Sequence, residues 1–106
     1  MIKNFLLKKG DQLAFNITFT SNVTFDSVEL GVKADYTDEA YTIIKTLGDG
    51  ITRLSGTTYQ FTISSSDTKY LKPELYPYDI RVIKGDVIKT PLSGFIMIND
   101  TVFERP

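Results

Sequence analysis

The sequence predicts an all-β fold, an antiparallel sandwich of about seven strands. Period-two alternation of large apolar and polar residues recurs in four separate stretches. Glycine, serine and aspartate turn signals interrupt the chain at a spacing of roughly 8–12 residues, as in small sandwiches and barrels. No segment carries the apolar stripe of an amphipathic helix. The 106 residues are read as one domain spanning 1–106, a length that buries roughly two thirds of the surface its unfolded chain would expose.

Taken in order, Ile2 to Leu7 is read as a first strand, and Lys9-Gly10-Asp11 as the turn after it. In Leu13-Ala14-Phe15-Asn16-Ile17-Thr18-Phe19-Thr20 the odd positions are large and apolar and the even ones small or polar, so one face is buried. Val28, Leu30 and Val32 alternate with Glu29, Gly31 and Lys33 in the same way. The Thr- and Ile-rich run Tyr41 to Leu47 is a fourth strand, ended by Gly48-Asp49-Gly50. After Ser55-Gly56 come Tyr59, Phe61 and Ile63, against Gln60, Thr62 and Ser64. Ser66 to Leu71 is read as one helical turn capped by Ser66 or Asp67. Tyr76, Tyr78, Ile80 and Val82 repeat the alternation, and Lys84-Gly85-Asp86 reads as a hairpin corner. Ser93-Gly94 reads as a turn before Phe95-Ile96-Met97-Ile98, a strand apolar on both faces.

Composition removes several function classes. Twelve basic residues face thirteen acidic ones, spread evenly over both halves, so no basic stripe marks a nucleic-acid or membrane-surface partner. The chain has no cysteine and no histidine. Disulfides and thiolate chemistry are excluded, and the commonest neutral-pH general base is missing. Ser64-Ser65-Ser66-Asp67 therefore has no triad partner, and Gly48-Asp49-Gly50 lacks the lysine and hydroxyl of a phosphate loop. Asp35, Asp38 and Glu39 lack the acid-x-acid spacing of a calcium loop and read as a solvated turn. No catalytic, cofactor or metal residue is assigned. The start shows no signal-peptide core and no run of membrane-spanning length, so the product is expected to stay in, or assemble from, a cytoplasm. The Asn-x-Thr triplets at Asn16, Asn22 and Asn99 are accordingly read as chance.

The stretch Leu71-x-Pro73-x-x-Tyr76-x-Tyr78-x-Ile80-x-Val82 suits the corner where a strand enters a sandwich. There a tyrosine buries its ring and returns its hydroxyl to the backbone a few residues upstream, as in immunoglobulin-type domains. Pro73, Tyr76 and Tyr78 are assigned to this structural corner. Pro77 has no N–H, so either its nitrogen faces away from the neighbouring strand or pairing starts after it.

The same residues sit in a longer pattern. Asp67-Thr68-x-x-Leu71-x-Pro73-x-x-Tyr76-x-Tyr78-Asp79-Ile80 is followed by Lys89-Thr90-Pro91-Leu92-x-Gly94-Phe95-Ile96-Met97-Ile98. Near the start, Phe5-x-Leu7-x-x-Gly10-Asp11 leads into an alternating strand, and Val32-Lys33-x-Asp35-Tyr36 ends a later one. This resembles the amino-terminal domain family of tailed-phage baseplate upper proteins and related small immunoglobulin-like phage tail domains. Glu74 departs from the glycine usual there. The fibronectin type III corner is similar, but that family carries a core tryptophan and this chain has none.

The resemblance implies an immunoglobulin-like sandwich. It also implies a non-catalytic virion module in a phage or prophage tail or baseplate, assembled in the bacterial cytoplasm. Its partners would be other tail proteins, with homo-oligomers within the assembly, and it would need no cofactor. The alternative is a fibronectin-like or carbohydrate-binding accessory module of a bacterial surface protein. Apolar residues near the ends, Phe5, Leu7, Ile96, Ile98, Val102 and Phe103, are the candidate interface, since two-faced terminal strands leave one face for a partner.

Overall fold

The computed structural model describes residues 2–20 and 24–102. Among these residues eight strands form: β1 (Phe5–Lys8), β2 (Leu13–Thr18), β3 (Ser27–Val32), β4 (Ile43–Leu47), β5 (Gly50–Arg53), β6 (Thr58–Ile63), β7 (Leu75–Lys84) and β8 (Val87–Asn99). A single helical turn, α1 (Ser65–Thr68), lies between β6 and β7. The hydrogen-bonded order is β1-β8-β7-β3-β4-β5-β6-β2. The ladder folds over between β4 and β5, where Thr46 pairs with Gly50 and Leu47 with Ile51. It thus makes a larger sheet, β1-β8-β7-β3-β4, and a smaller one, β5-β6-β2. These are the two layers of an immunoglobulin-like sandwich.

The alternating residues close the core as period two requires. Val28, Leu30 and Val32 of β3, Ile80 and Val82 of β7, and Leu92, Ile96 and Ile98 of β8 are buried from the larger sheet. Ile51, Tyr59, Phe61 and Ile63 meet them from the smaller one. With no cysteine to cross-link the layers, aromatic rings bridge them. Phe5 of β1 lies 4.7 Å from Phe15 of β2 and 5.9 Å from Tyr78 of β7, and Phe15 stacks on Phe61 at 5.2 Å. In antibody-type domains the residue two places after the corner tyrosine is a bridging cysteine; here that place holds Tyr78.

Both tyrosines of the corner are buried. The Tyr76 hydroxyl donates to the Lys72 carbonyl at 2.8 Å, reaching back around Pro73. The Tyr78 hydroxyl donates to the Lys3 carbonyl at 2.5 Å and so ties β7 to the segment entering β1. The Pro77 carbonyl accepts from the Lys33 N–H at 3.1 Å. Nitrogen and carbonyl of a strand residue point the same way. The missing donor therefore faces the end of β3 rather than β8, and Pro77 pairs with Phe95 without losing a bond to it.

Three features differ from expectation. Gly50–Arg53 is a strand; the glycine-rich turn before it is only Gly48-Asp49, with Gly50 opening β5. Ser93-Gly94 is no turn but the middle of β8, which runs unbroken for 13 residues. Pro91 does not stop it because Thr90 and Pro91 together face Arg81, a bulge between the pairs Ile80–Leu92 and Val82–Lys89. The helical turn is capped two residues before Ser66 and three before Asp67, the caps assigned to it. Ser64 is the N-cap, and Asp67 is its third helical residue, accepting from the Ser64 N–H at 2.8 Å. Asp67 also pairs with Lys45 at 2.9 Å. Partial burial pushes the Asp67 carboxyl up, but Lys45 and the two Ser64 donors outweigh this and hold it below the usual range.

Burial pushes the Tyr78 phenol up to about 12, with the negative charge of Asp79 adding to it. An unfolded tyrosine ionises near ~10. The raised value means the fold favours the neutral phenol. Its stabilisation is complete below about pH 10 and is lost as the pH climbs towards about 12. An alkaline melt followed by phenolate absorbance should show late tyrosine ionisation together with loss of structure, from Tyr78 and from Tyr76, whose phenol is also pushed up by burial. Tyr78→Phe should remove one tyrosine's share of that late absorbance; an unchanged late absorbance in the variant would assign it elsewhere.

Candidate functional site

The outer face of the larger sheet is built by the positions that alternate with the core. From Leu92 to Ile98 the even residues of β8 point inward, so Phe95 and Met97 point out. Pairing aligns Leu6 of β1, Met97 of β8 and Leu75 of β7 in one row across three strands, and Phe95 with Pro77 in the next. Leu6 is 68% exposed, Leu75 49% and Phe95 38%. Ile2 bridges Ser93 at the same register and is 77% exposed. The Asn4 side-chain oxygen accepts from the Phe95 N–H at 2.9 Å and fixes the strand that carries this patch. Contiguous apolar residues on a sheet face are the usual mark of a docking surface.

Towards β4 the same face becomes polar and concave. Gly31 has no side chain, and the Tyr41 ring occupies the space where one would be: a β-carbon there would stand 2.8 Å from the ring. Lys33 lies 5.0 Å from the Tyr41 ring centroid and donates to the Asp38 carbonyl at 2.7 Å. Arg81 holds the Glu29 carboxylate at 2.6 Å. Tyr36, Tyr41, Asp79 and Ile44 complete a hollow of ≈ 270 Å³. That volume suits one side chain or a small polar group rather than a drug-sized ligand. A second, apolar hollow of ≈ 390 Å³ lies among Phe19, Phe25, Val82, Val87 and Pro91 near the β7–β8 hairpin.

The candidate interface read from the sequence splits. Leu7, Ile96 and Ile98 are buried, and Phe5 is half-buried against Phe15 and Tyr78. These four belong to the core, not to a docking face. The reason is parity: in a strand apolar on both sides, which side is outward depends on the pairing register, and one residue's shift exchanges the faces. The outward set is Leu6, Phe95 and Met97. Val102 is 94% exposed just past β8, and Phe103 lies outside the described residues. Leu75 carries no signal of its own in the sequence, because the alternating run begins after it at Tyr76.

The acidic turn is occupied with its own backbone. The Asp35 carboxylate accepts from the Thr37 N–H at 2.9 Å and hydroxyl at 2.8 Å. Among the described residues no three carboxylates gather as a metal site would need. The Ser64 hydroxyl donates to the Asp67 carboxylate at 2.9 Å and shares a hydrogen bond with the Ser66 hydroxyl at 2.8 Å, and the same carboxylate oxygen is held by Lys45. The features that stand out on this face are surfaces suited to binding.

No family model and no curated protein sequence matches the chain. Solved structures do match in shape. The extracellular domain of the voltage-gated sodium channel beta4 subunit, described as a parallel homodimer explaining its role in cell–cell adhesion, superposes with a TM-score of 0.52 at 14% identity, over 95% of this chain and 93% of that one. The second Ig domain of the mouse polymeric immunoglobulin receptor gives 0.56 at 10% identity, over 98% of this chain and 100% of that one. At these identities the likeness speaks for the fold, and the chain is an immunoglobulin-like β-sandwich.

Proposed function

We propose that this chain is a non-catalytic assembly module of a phage or prophage tail or baseplate, docking on other tail proteins through the outer face of its larger sheet. The observation that carries the docking role is the exposed apolar row Leu6–Met97–Leu75 with Phe95 beside it. An exposed apolar patch of this kind binds by excluding water and by shape, and needs no cofactor. The near-neutral charge balance favours a protein partner over nucleic acid or a membrane surface. The virion assignment rests on the sequence pattern of residues 67–98. A like-folded neighbour whose homodimer accounts for adhesion supports a binding role for such a sandwich.

The test is quantitative mass spectrometry of phage-like particles purified after prophage induction of the encoding cells. Co-purification at a fixed ratio to tail proteins supports the virion role. Particles that form without the chain, with the chain found at the cell surface, would leave the alternative of a fibronectin-like or carbohydrate-binding module. The exposed Tyr36 and Tyr41 beside the polar hollow are what favours that second reading.

A further inference from the structure

Among the described residues β2 ends the sheet order, with β6 on one side and no strand on the other. Phe19 donates its N–H to the Thr57 carbonyl of the strand's β6 side at 2.9 Å. Backbone groups alternate sides along a strand, and both groups of one residue share a side. The odd residues Leu13, Phe15 and Ile17 therefore bond to Ile63, Phe61 and Tyr59. The N–H and C=O of Ala14, Asn16 and Thr18 face away from β6, on exposed residues. Natural proteins blunt such edges with lysine, proline, bulges or brevity. At the far end of the order, β1 is four residues long, with Lys8 in it and Lys3 and Lys9 beside it. β2 has none of these devices. From Leu13 to Phe25 the sequence contains no charge, no proline and no glycine.

We infer that β2 pairs antiparallel with β2 of a second copy of this chain, about a two-fold axis at Asn16. The free edge of β2 is self-complementary. With Asn16 opposite Asn16 of the partner subunit, Ala14 faces the partner's Thr18, and all three open residues of each strand find partners. That register makes about six backbone hydrogen bonds, two for each opposed pair. It also sets Phe15 across from the partner's Ile17 and Leu13 across from the partner's Phe19. All four are half-buried side chains that flank the core and gain cover from the contact. Aromatic and β-branched residues are favourable cross-strand neighbours. No like charges meet, because the strand has none. Each three-stranded sheet becomes half of a six-stranded one. The inference stands apart from the virion role: it concerns the free edge of the smaller sheet, and it holds or fails whatever the particle experiment returns.

Sedimentation equilibrium of the full chain from about 1 μM to about 1 mM, the range where weak homodimers form, tests it. The mass is expected to rise from 12.0 kDa to twice that value. Asn16→Lys sets two ammonium groups face to face and should remain monomeric throughout with an unchanged melt. Thr52→Lys, on exposed β5, should dimerise like the parent. Amide exchange at Ala14, Asn16 and Thr18 should slow as concentration rises, while Phe15 and Ile17 stay protected at every concentration. A monomer at all concentrations overturns the inference, as does a dimer that survives Asn16→Lys or protects a different surface.

Discussion

Replacing Tyr78 by alanine is expected to destabilise the domain by about 3–5 kcal/mol, the cost of deleting a large buried aromatic side chain. The site makes the upper part of that range the natural expectation. The ring touches Phe5, and through Phe5 and Phe15 it belongs to the only aromatic bridge between layers that involves β1 among the described residues. Its hydroxyl also holds the Lys3 carbonyl. Tyr78→Phe separates the two contributions. It keeps the ring and loses the hydrogen bond, for about 1–3 kcal/mol if the Lys3 carbonyl is left unpaired. Urea unfolding of both variants measures the difference. Equal losses for alanine and phenylalanine would mean that the ring's packing matters little and that the clasp on Lys3 is the whole effect.

Gly94→Ala is expected to detach β1. A β-carbon at residue 94 would lie 2.1 Å from the Lys3 carbonyl oxygen and 2.8 Å from its carbon. The obstacle is backbone, which cannot rotate aside as a side chain would. Overpacking of this kind costs about 1–3 kcal/mol and sometimes more. Here the cheapest relief is for the chain entering β1 to move off β8. Amide exchange should then speed up at Lys3 and Lys9, which donate to Ser93 and Asn99 in the parent. Protection on β3 and β6 should persist. An alanine variant with parental protection at Lys3 would show that the close approach is relieved some other way.

Gly94 also shows where sequence reading stops. As a dipeptide, Ser93-Gly94 is a turn signal. Its actual role is to let another strand's backbone come close, and nothing local in the sequence distinguishes the two. The strands with one buried face were legible because their alternation is a direct image of burial: β2, β3, β6 and β7 all lie where the pattern put them. β5 was not, because Gly50-Ile51-Thr52-Arg53 buries a single large side chain and has no alternation to read. The docking face was half legible. Period two showed that Phe5-Leu6-Leu7 and Phe95-Ile96-Met97-Ile98 each present apolar groups to both sides. Which side meets the core depends on pairing with β7, a long-range contact that no single segment encodes. The Tyr41–Gly31 contact was invisible for the same reason: the two lie on different segments and meet only through the β3–β4 pairing.

Particle incorporation tests most directly the proposed docking of the larger sheet's outer face on tail proteins. Phe95→Glu together with Leu6→Glu places charge in the exposed apolar row without entering the core. The account predicts that the doubly substituted chain folds with a parental melt yet is missing from purified particles that contain the parent at a fixed ratio. Incorporation of the folded variant at the parental ratio would contradict the account.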